Sequence, residues 1–209
     1  MYTALLLGSD SKLSWDIWGT ARNASYNQIA SSNGYYNRVP RQLVEYANPF
    51  WIRNTPILDI GCGTGEIGRS LRIRDIKTID GIDFSSGMVS RIPPEVYRKI
   101  AMFNLKKLLN KSPDLPQSRY HNIISSGVYG ESIRDDSYKG IFRLAEDNVT
   151  IAISGKDSAC LDGIERTMEE EGLTIKRSDV EKAYTQTGLL GGKTPVNYRF
   201  LVATRGHEM

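Results

Sequence analysis

The chain has 209 residues, of which 40% are hydrophobic and 24% are charged, and its formal net charge is +3 at pH 7. This length and composition predict a single domain over residues 1–209. The charge is too small to indicate binding of nucleic acid. Two cysteines and two histidines argue against a disulfide framework and against a metal site.

The first seven residues are apolar, but they are too few for a secretory or membrane-spanning segment. We therefore expect a cytoplasmic protein that does not bind membranes and exists as a monomer or homodimer. Residues 10–50 are rich in aromatic side chains and predict a cap on a core that spans 56–205. Within this cap, a helix is predicted over Pro40 to Ala47, with Pro40 at its start.

The core alternates strand-like and helix-like segments. A strand over Pro56–Ile60 leads into a glycine-rich turn, and a helix is predicted over Glu66–Arg72. A second strand is predicted over Ile76–Asp83, followed by a short helix that Ser85 caps. Between residues 95 and 110 the apolar spacing alone favours a helix.

Further elements follow in the second half of the chain. They are strands over Tyr120–Val128 and Asn148–Ser154, a helix over Ser158–Gly172, and strands over Leu173–Arg177 and Tyr198–Thr204. This repeated alternation predicts an α/β fold with a mainly parallel sheet covered on both faces.

The glycine turn permits two interpretations. Residues 63–68 spell G-x-G-x-x-G, and Asp83 lies about 20 residues further on, as in dinucleotide-binding proteins. The longer string Asp59-x-Gly61-x-Gly63-x-Gly65 instead places an acid before three alternating glycines. Bare backbone lets a ligand come close, and two acids around the turn suit a ligand that carries an amine and a ribose.

This longer string closely resembles motif I of the class I S-adenosylmethionine-dependent methyltransferases, and Gly81–Met88 resembles their second motif. The resemblance implies a Rossmann-like fold with a seven-stranded, mainly parallel sheet, an antiparallel last strand and helices on both faces. It also implies a third strand over Lys99–Leu105, with Asn104 at its end, in place of a helix. The implied reaction transfers a methyl group from S-adenosyl-L-methionine to a small-molecule acceptor and leaves S-adenosyl-L-homocysteine.

The resemblance implies roles for individual residues as well. Asp59 would accept a hydrogen bond from the amino-acid part of the cofactor, and Asp83 would hold both ribose hydroxyls. Phe84 and Met88 would flank the adenine, and Asn104 stands where the family often has an acid that contacts the adenine amino group. The other implied cofactor-binding residues are Gly61, Cys62, Gly63, Thr64, Gly65, Ser85, Leu105, Ser125, Ser126 and Gly127.

The N-terminal aromatic residues resemble the lead-in of small methyltransferases related to the methyltransferase-like 27 group, although the gap between Trp18 and Tyr26 is longer here. Trp18 and Tyr26 would then contact the cofactor and close a dry lid over its sulfonium. The alternative is that these aromatics only bury the edge of the sheet.

The acceptor side is less well defined. Tyr129, just beyond the fourth motif, is the predicted catalytic residue, and His121 and Glu131 are weaker candidates for a base. No metal ligand is predicted. Two alternatives stay open: a methyltransferase that acts on a protein or RNA, and a non-catalytic S-adenosylmethionine-binding regulatory protein.

Overall fold

The computed structural model describes residues 35–107, 118–130, 133, 136–156, 158–187 and 193–206. The helices in these ranges are α1 (Tyr35–Ala47), α2 (Glu66–Arg72), α3 (Ser86–Val89) and α4 (Ala159–Glu170). The strands are β1 (Ile57–Ile60), β2 (Ile79–Asp83), β3 (Lys99–Met102), β4 (Tyr120–Ser126), β5 (Ala145–Lys156), β6 (Thr174–Thr187) and β7 (Lys193–Arg205). Short 3₁₀ helices cover Asn48–Phe50, Leu105–Lys107 and Asp136–Leu144.

These strands form one seven-stranded sheet in the order β3-β2-β1-β4-β5-β7-β6. The pairs from β3 to β5 are parallel, whereas β7 is antiparallel to both of its neighbours. The predicted mainly parallel sheet with an antiparallel last strand is therefore confirmed. Because the chain moves outward from β1 on one side and from β4 on the other, the strand order reverses between them, and ligands bind at such a point.

Both faces of the sheet are buried under helices. On one face α4 packs through Leu161, Ile164 and Met168 onto a cluster that includes Leu58 and Ile60 of β1. On the other face, Ile57 of β1 joins residues of α1 and α2, which are Val39, Leu43, Val44, Ala47, Ile67 and Leu71. Alternate residues of β1 thus enter opposite cores, which explains why this strand is a continuous apolar run around a single acid.

The structure corrects the start of the first predicted helix. α1 begins by Tyr35, so Pro40 lies inside the helix and not at its start. A proline removes one helical hydrogen bond, which favours a break at this point. The fully buried side chains of Val39, Leu43 and Val44 pack on the sheet from both sides of the proline. Their burial offsets the lost hydrogen bond.

The third strand is confirmed in place of a helix. Lys99–Met102 pairs in parallel with Asp80–Asp83, and the Phe103 N–H donates to the Asp83 carbonyl at 2.9 Å. The strand is shorter than predicted, and Asn104 follows it by two residues. The apolar spacing that favours a helix here arises because Phe103 turns into the core after the strand ends.

The last two strands are longer than predicted. β6 and β7 pair over Thr174–Thr187 and Lys193–Arg205, well beyond the apolar segments that indicated them. Most of the described side chains of β6 after Arg177 are exposed, so little apolar periodicity marks this part of the hairpin. Backbone pairing extends it, together with the packing of Ala183 and Tyr198 into the core. No helix among the described residues is long and apolar enough to cross a membrane.

Candidate functional site

A narrow cavity lies where the strand order reverses, at the carboxyl ends of β1 and β4. The glycine turn forms its floor, the start of α2 forms one side, and α1 and α3 each contribute one residue. Its lining residues are Pro40, Asp59, Gly61, Cys62, Gly63, Thr64, Glu66, Ile67, Met88 and Ser126. Most of these are residues that the sequence predicts to bind a cofactor; Pro40, Glu66 and Ile67 are additions that only the folded chain reveals.

The glycine turn owes its shape to three left-handed residues. Gly61, Gly63 and Gly65 have φ angles of +74°, +51° and +91°, which side chains other than glycine rarely tolerate. The N–H groups of Gly61 and Cys62 both donate to the Ile82 carbonyl, at 2.7 and 3.0 Å. The turn is therefore attached to the end of β2, and its bare backbone faces the cavity.

The side chain of Val128 lies directly over this turn. A Cβ atom added to Gly61 would lie 2.2 Å from the Val128 Cγ2 atom, so the two segments touch. The cavity beside them measures only about 50 Å³, whereas pockets for ligands of nucleoside size or larger measure roughly 300–1,000 Å³. Entry of such a ligand therefore requires side chains at the rim to move.

Asp83 holds the glycine turn to the loop that follows β2. Its Oδ2 atom accepts from the Gly63 N–H and its Oδ1 atom from the Ser85 N–H, both at 2.8 Å. The carboxylate is only 7% exposed. Each carboxylate oxygen can accept a second hydrogen bond, so this group can hold the turn and still accept from a ligand hydroxyl. The predicted N-terminal cap of α3 by Ser85 is confirmed, because the Ser85 hydroxyl accepts from the Met88 N–H at 3.2 Å.

Asp59 is the most unusual group in the cavity. It is 1% exposed, and its Oδ2 atom accepts from the Tyr97 hydroxyl at 2.5 Å. Its Oδ1 atom has no hydrogen-bond partner in the described part of the chain. Burial raises the pKa of Asp59 to about 7, the Tyr97 hydrogen bond opposes this rise, and the Asp83 charge adds to it. A buried carboxylate oxygen without a donor is costly, and a cationic or N–H ligand would satisfy it.

Tyr97 is the functional candidate that sequence reasoning missed. It is 3% exposed, and its hydroxyl accepts from the Gly68 N–H at 3.1 Å. A Cβ atom on Gly68 would lie 2.6 Å from the Tyr97 Cζ atom. The glycine that completes the dinucleotide-like G-x-G-x-x-G string thus makes room for a tyrosine ring. The sequence offered one signal for such a contact. Gly68 lies in the first turn of a helix, where glycine is unfavourable unless a neighbouring side chain needs the space.

The residues at the end of β4 hold the strands together beside the cavity. The Ser125 hydroxyl donates to the Ile60 carbonyl at 2.8 Å and is fully buried, which favours a structural role. Ser126 lines the cavity, and its hydroxyl accepts from that of Ser154 at 2.9 Å. Gly127 has a φ of +71°, and its N–H donates to the Ser154 carbonyl at 2.8 Å.

The residues predicted to contact the adenine are spread more widely. Met88 is buried and lines the cavity, and Phe84 is half-buried in the loop before α3. Asn104 is exposed beyond β3. Leu105 is buried in the core on the face of the sheet that α4 covers. A nucleoside contact from Leu105 therefore requires its backbone and not its side chain.

The structure places the catalytic candidate Tyr129 in the core and not in the cavity lining, so its catalytic role stays a prediction. Tyr129 is fully buried in the apolar core and does not line the cavity. Tyr129 forms an isolated β-bridge with Ile133, and both residues belong to the same apolar core cluster. His121 lies at the start of β4, at the opposite edge of the sheet, and its Nδ1 atom contacts the Asn148 carbonyl at 2.8 Å.

Three predicted residues lie outside the described part of the chain. They are Trp18, Tyr26 and Glu131, and their predicted roles stay predictions. Among the described residues, no group of three or more histidine, cysteine, aspartate or glutamate side chains could hold a metal ion.

No family model matches the chain, and no curated protein matches it in sequence. Its fold is similar to that of magnesium protoporphyrin IX methyltransferase from Synechocystis PCC 6803, with a TM-score of 0.65, 15% identity, and coverage of 91% of this chain and 94% of that one. It is also similar to a TehB-like SAM-dependent methyltransferase from Corynebacterium glutamicum, with a TM-score of 0.61, 14% identity, and coverage of 88% of this chain and 96% of that one. For the ribosomal protein L11 methylase from Lactobacillus delbrueckii, the TM-score is 0.54 and the identity 14%, and the match covers 79% of this chain and 77% of that one.

The chain has the Rossmann-like methyltransferase fold. At 14–15% identity these similarities show the shared fold alone. Proteins that share a fold can differ in function, which depends on the residues of each site.

Proposed function

We propose that this protein transfers a methyl group from S-adenosyl-L-methionine to a small-molecule acceptor. One observation carries the proposal. Two buried carboxylates, Asp59 and Asp83, lie on either side of a left-handed glycine turn, and Asp59 keeps one oxygen without a partner among the described residues. An amine and a ribose are the groups that this pair of acids suits best.

The cavity residues fit the two polar ends of this cofactor. Asp59 would bind the amino group, because a cation or N–H donor satisfies its Oδ1 atom. Asp83, whose carboxylate accepts from the Gly63 and Ser85 N–H groups, would accept from the ribose hydroxyls as well, because a carboxylate oxygen can accept more than one hydrogen bond. Met88, Phe84 and Asn104 would surround the adenine.

S-adenosyl-L-methionine, when bound, supplies a methyl group on a positively charged sulfur that is already activated for displacement. The chain's own contribution is to orient donor and acceptor and to exclude water. Cys62 does not supply a base, because burial raises the pKa of its thiol well above the usual range and keeps it protonated. The lining residues of the described part include neither histidine nor lysine, so we assign proton removal to no residue.

The small-molecule acceptor rests on composition. The net charge of +3 is low, and the sequence has no block of basic residues that would indicate an RNA-binding surface. The structural neighbours include, by name, enzymes that methylate a protoporphyrin and a ribosomal protein. They therefore do not decide between acceptor classes, and the experiment must.

Calorimetry tests the donor. We expect S-adenosyl-L-methionine and S-adenosyl-L-homocysteine to bind at micromolar concentrations, and Asp83→Asn to weaken both by roughly tenfold or more, because it removes a charged acceptor of ribose hydroxyls. Asp75→Asn is the matched control, since the Asp75 side chain is 84% exposed and does not line the cavity. Tight NADH binding without either S-adenosyl ligand would refute the proposal.

Radiolabelled methyl transfer tests the acceptor. The protein is incubated with methyl-labelled cofactor and a cell extract that is separated into small molecules and macromolecules. We expect label in the small-molecule fraction. Label confined to protein or RNA would replace the small-molecule proposal with the macromolecular one, and a binder that labels neither fraction would favour a regulatory protein.

A further inference from the structure

We infer that Tyr97 is a positioning residue for the proposed cofactor site, whose hydroxyl fixes the Asp59 carboxylate so that only Oδ1 is offered to a ligand amine. The inference rests on the proposed function. Tyr97 would not touch the reacting atoms; it would act through Asp59.

The first support is the double use of one hydroxyl group. The Tyr97 hydroxyl donates its only proton to Asp59 Oδ2 at 2.5 Å and accepts from the Gly68 N–H at 3.1 Å. Both partners are buried. The hydroxyl uses its proton for Asp59 and a lone pair for Gly68, so it cannot rotate without losing a buried hydrogen bond. The Asp59 carboxylate is therefore held in one orientation.

The second support is the missing cap of α2. The first amide groups of a helix have no partner within it, and a side chain of the preceding residue usually accepts from one of them. Here that residue is Gly65, which has no side chain to do so. Gly68 supplies one of these amides, and Tyr97 accepts from it. A glycine at position 65, which the turn needs, is thereby compensated by a tyrosine from elsewhere in the chain.

The third support is the way in which Tyr97 itself is held. It lies between α3 and β3, and the neighbouring Val96 carbonyl accepts from the Arg72 Nε atom at the end of α2, at 3.0 Å. Val96 and Tyr97 fill the space above Gly68 so closely that a Cβ atom there would lie 2.5 Å from the Val96 Cγ1 atom. Tyr97 therefore links β1, α2 and the segment before β3 at one atom.

The consequence concerns the charge of Asp59. The titratable groups around it are Tyr97, Cys62 and Asp83, with Glu66 also lining the cavity. Tyr97 is the one whose hydrogen bond lowers the pKa of Asp59, whereas burial and Asp83 raise it. Without the hydroxyl, Asp59 would keep its proton to higher pH and would offer less negative charge to a cationic amine.

Two ligands and two variants test this inference. S-adenosyl-L-homocysteine carries the amine, and 5′-methylthioadenosine has the same nucleoside without it. We expect Tyr97→Phe to weaken the first by roughly tenfold or more and the second by less than about threefold, since only the first uses Asp59. Tyr120→Phe is the control: it also removes a buried hydroxyl, which donates to Asp80 Oδ2 at 2.8 Å, at the opposite edge of the sheet. It should leave both affinities unchanged.

A pH series adds a second readout. Affinity of the wild-type protein for S-adenosyl-L-homocysteine should rise with pH around the Asp59 pKa of about 7, and the midpoint should move to higher pH in Tyr97→Phe. If Tyr97→Phe does not fold, Arg72→Leu, which frees the Val96 carbonyl, should produce the same selective loss in smaller measure. Equal weakening of both ligands with an unmoved midpoint would show a merely structural tyrosine and overturn the inference. A wild-type protein that binds neither ligand would instead refute the proposed function.

Discussion

At Asp59 the requirements of the proposed ligand binding and of stability conflict. The folded chain buries this carboxylate beside the like charge of Asp83, and its pKa rises from an ordinary value of 3.8 to about 7. Between these pH values the folded protein holds a proton that the unfolded chain has lost. The free energy of unfolding therefore falls as pH rises through this window, and the full penalty is present above pH 7.

This residue gives the first prediction. Asp59→Asn keeps an oxygen that can accept from Tyr97 but carries no charge to bury. We expect the variant to be more stable than the wild type at pH 8, by an amount of the order of 2–4 kcal/mol, and equal to it near pH 4. Urea denaturation at both pH values measures the difference, with Asp75→Asn as the exposed control. A difference of the same size at both pH values would contradict the account.

Single residues show where sequence reasoning succeeds and where it stops. The positions of Asp59 and Asp83 around the turn could be predicted, because each has a fixed place in a local string around the glycines; their cofactor-binding roles stay predictions. Tyr97 could not, because its contact with Asp59 joins residues 38 positions apart and follows no periodic pattern. The burial of Tyr129 could not be predicted either, because a polar tip on an aromatic side chain does not tell whether the ring enters the core or lines a cavity.

At the scale of elements, the start of α2 carries the second prediction. Alanine is favoured over glycine in a helix by about 1 kcal/mol, yet an alanine at position 68 would press on Val96 and on the Tyr97 ring at 2.5–2.6 Å. We expect Gly68→Ala to destabilise the protein by about 1–3 kcal/mol and to weaken S-adenosyl-L-homocysteine binding. Urea denaturation and calorimetry measure the two effects.

Gly163→Ala in α4 is the comparison for this variant. Its added Cβ atom would first meet the Tyr138 hydroxyl at 2.7 Å, the end of a side chain, with the next ring atom at 3.4 Å. We expect a smaller loss of stability and an unchanged affinity. A Gly68→Ala protein that is more stable than the wild type would show that Tyr97 does not need the space.

Among the elements, those with a local signal were predicted well. α2 has the predicted bounds, and β1 and β2 lie within their predicted ranges. The prediction that α1 begins at Pro40 was wrong, because burial of the surrounding apolar side chains outweighs one missing hydrogen bond. The ends of β6 and β7 could not be predicted, because most of the described side chains near these ends are exposed and paired backbone leaves little trace in the order of side chains.

At the scale of the whole molecule, the order of strands could be predicted only through the resemblance to a known fold. Alternating strands and helices predict a parallel sheet, but not that β4 lies beside β1. The small size of the cavity had no signal in the sequence, because it depends on contacts such as that between Val128 and Gly61 across the reversal point. The similarity to the methyltransferase-like 27 group and the aromatic lid rest largely on residues outside the described ones, and both stay predictions.

The third prediction concerns the protein as a whole. A ligand that binds only the folded state raises its stability, and a cationic amine requires ionised Asp59. With a pKa of about 7, the ionised fraction of Asp59 grows roughly tenfold from pH 6 to pH 8. We expect S-adenosyl-L-homocysteine to raise the melting temperature more at pH 8 than at pH 6, each relative to the unliganded protein, and 5′-methylthioadenosine to show no such difference. If S-adenosyl-L-homocysteine raised the melting temperature equally at pH 6 and pH 8, as expected for 5′-methylthioadenosine, its amine would lie away from Asp59.

The central claim is that the two acids around the glycine turn bind the amine and the ribose of S-adenosyl-L-methionine. A crystal structure of the protein with S-adenosyl-L-homocysteine tests it most directly. The account predicts the ligand amine in hydrogen-bond contact with Asp59 Oδ1, the ribose hydroxyls on Asp83, and Val128 displaced from Gly61. A ligand bound elsewhere, or one whose amine and ribose leave both carboxylates untouched, would contradict it.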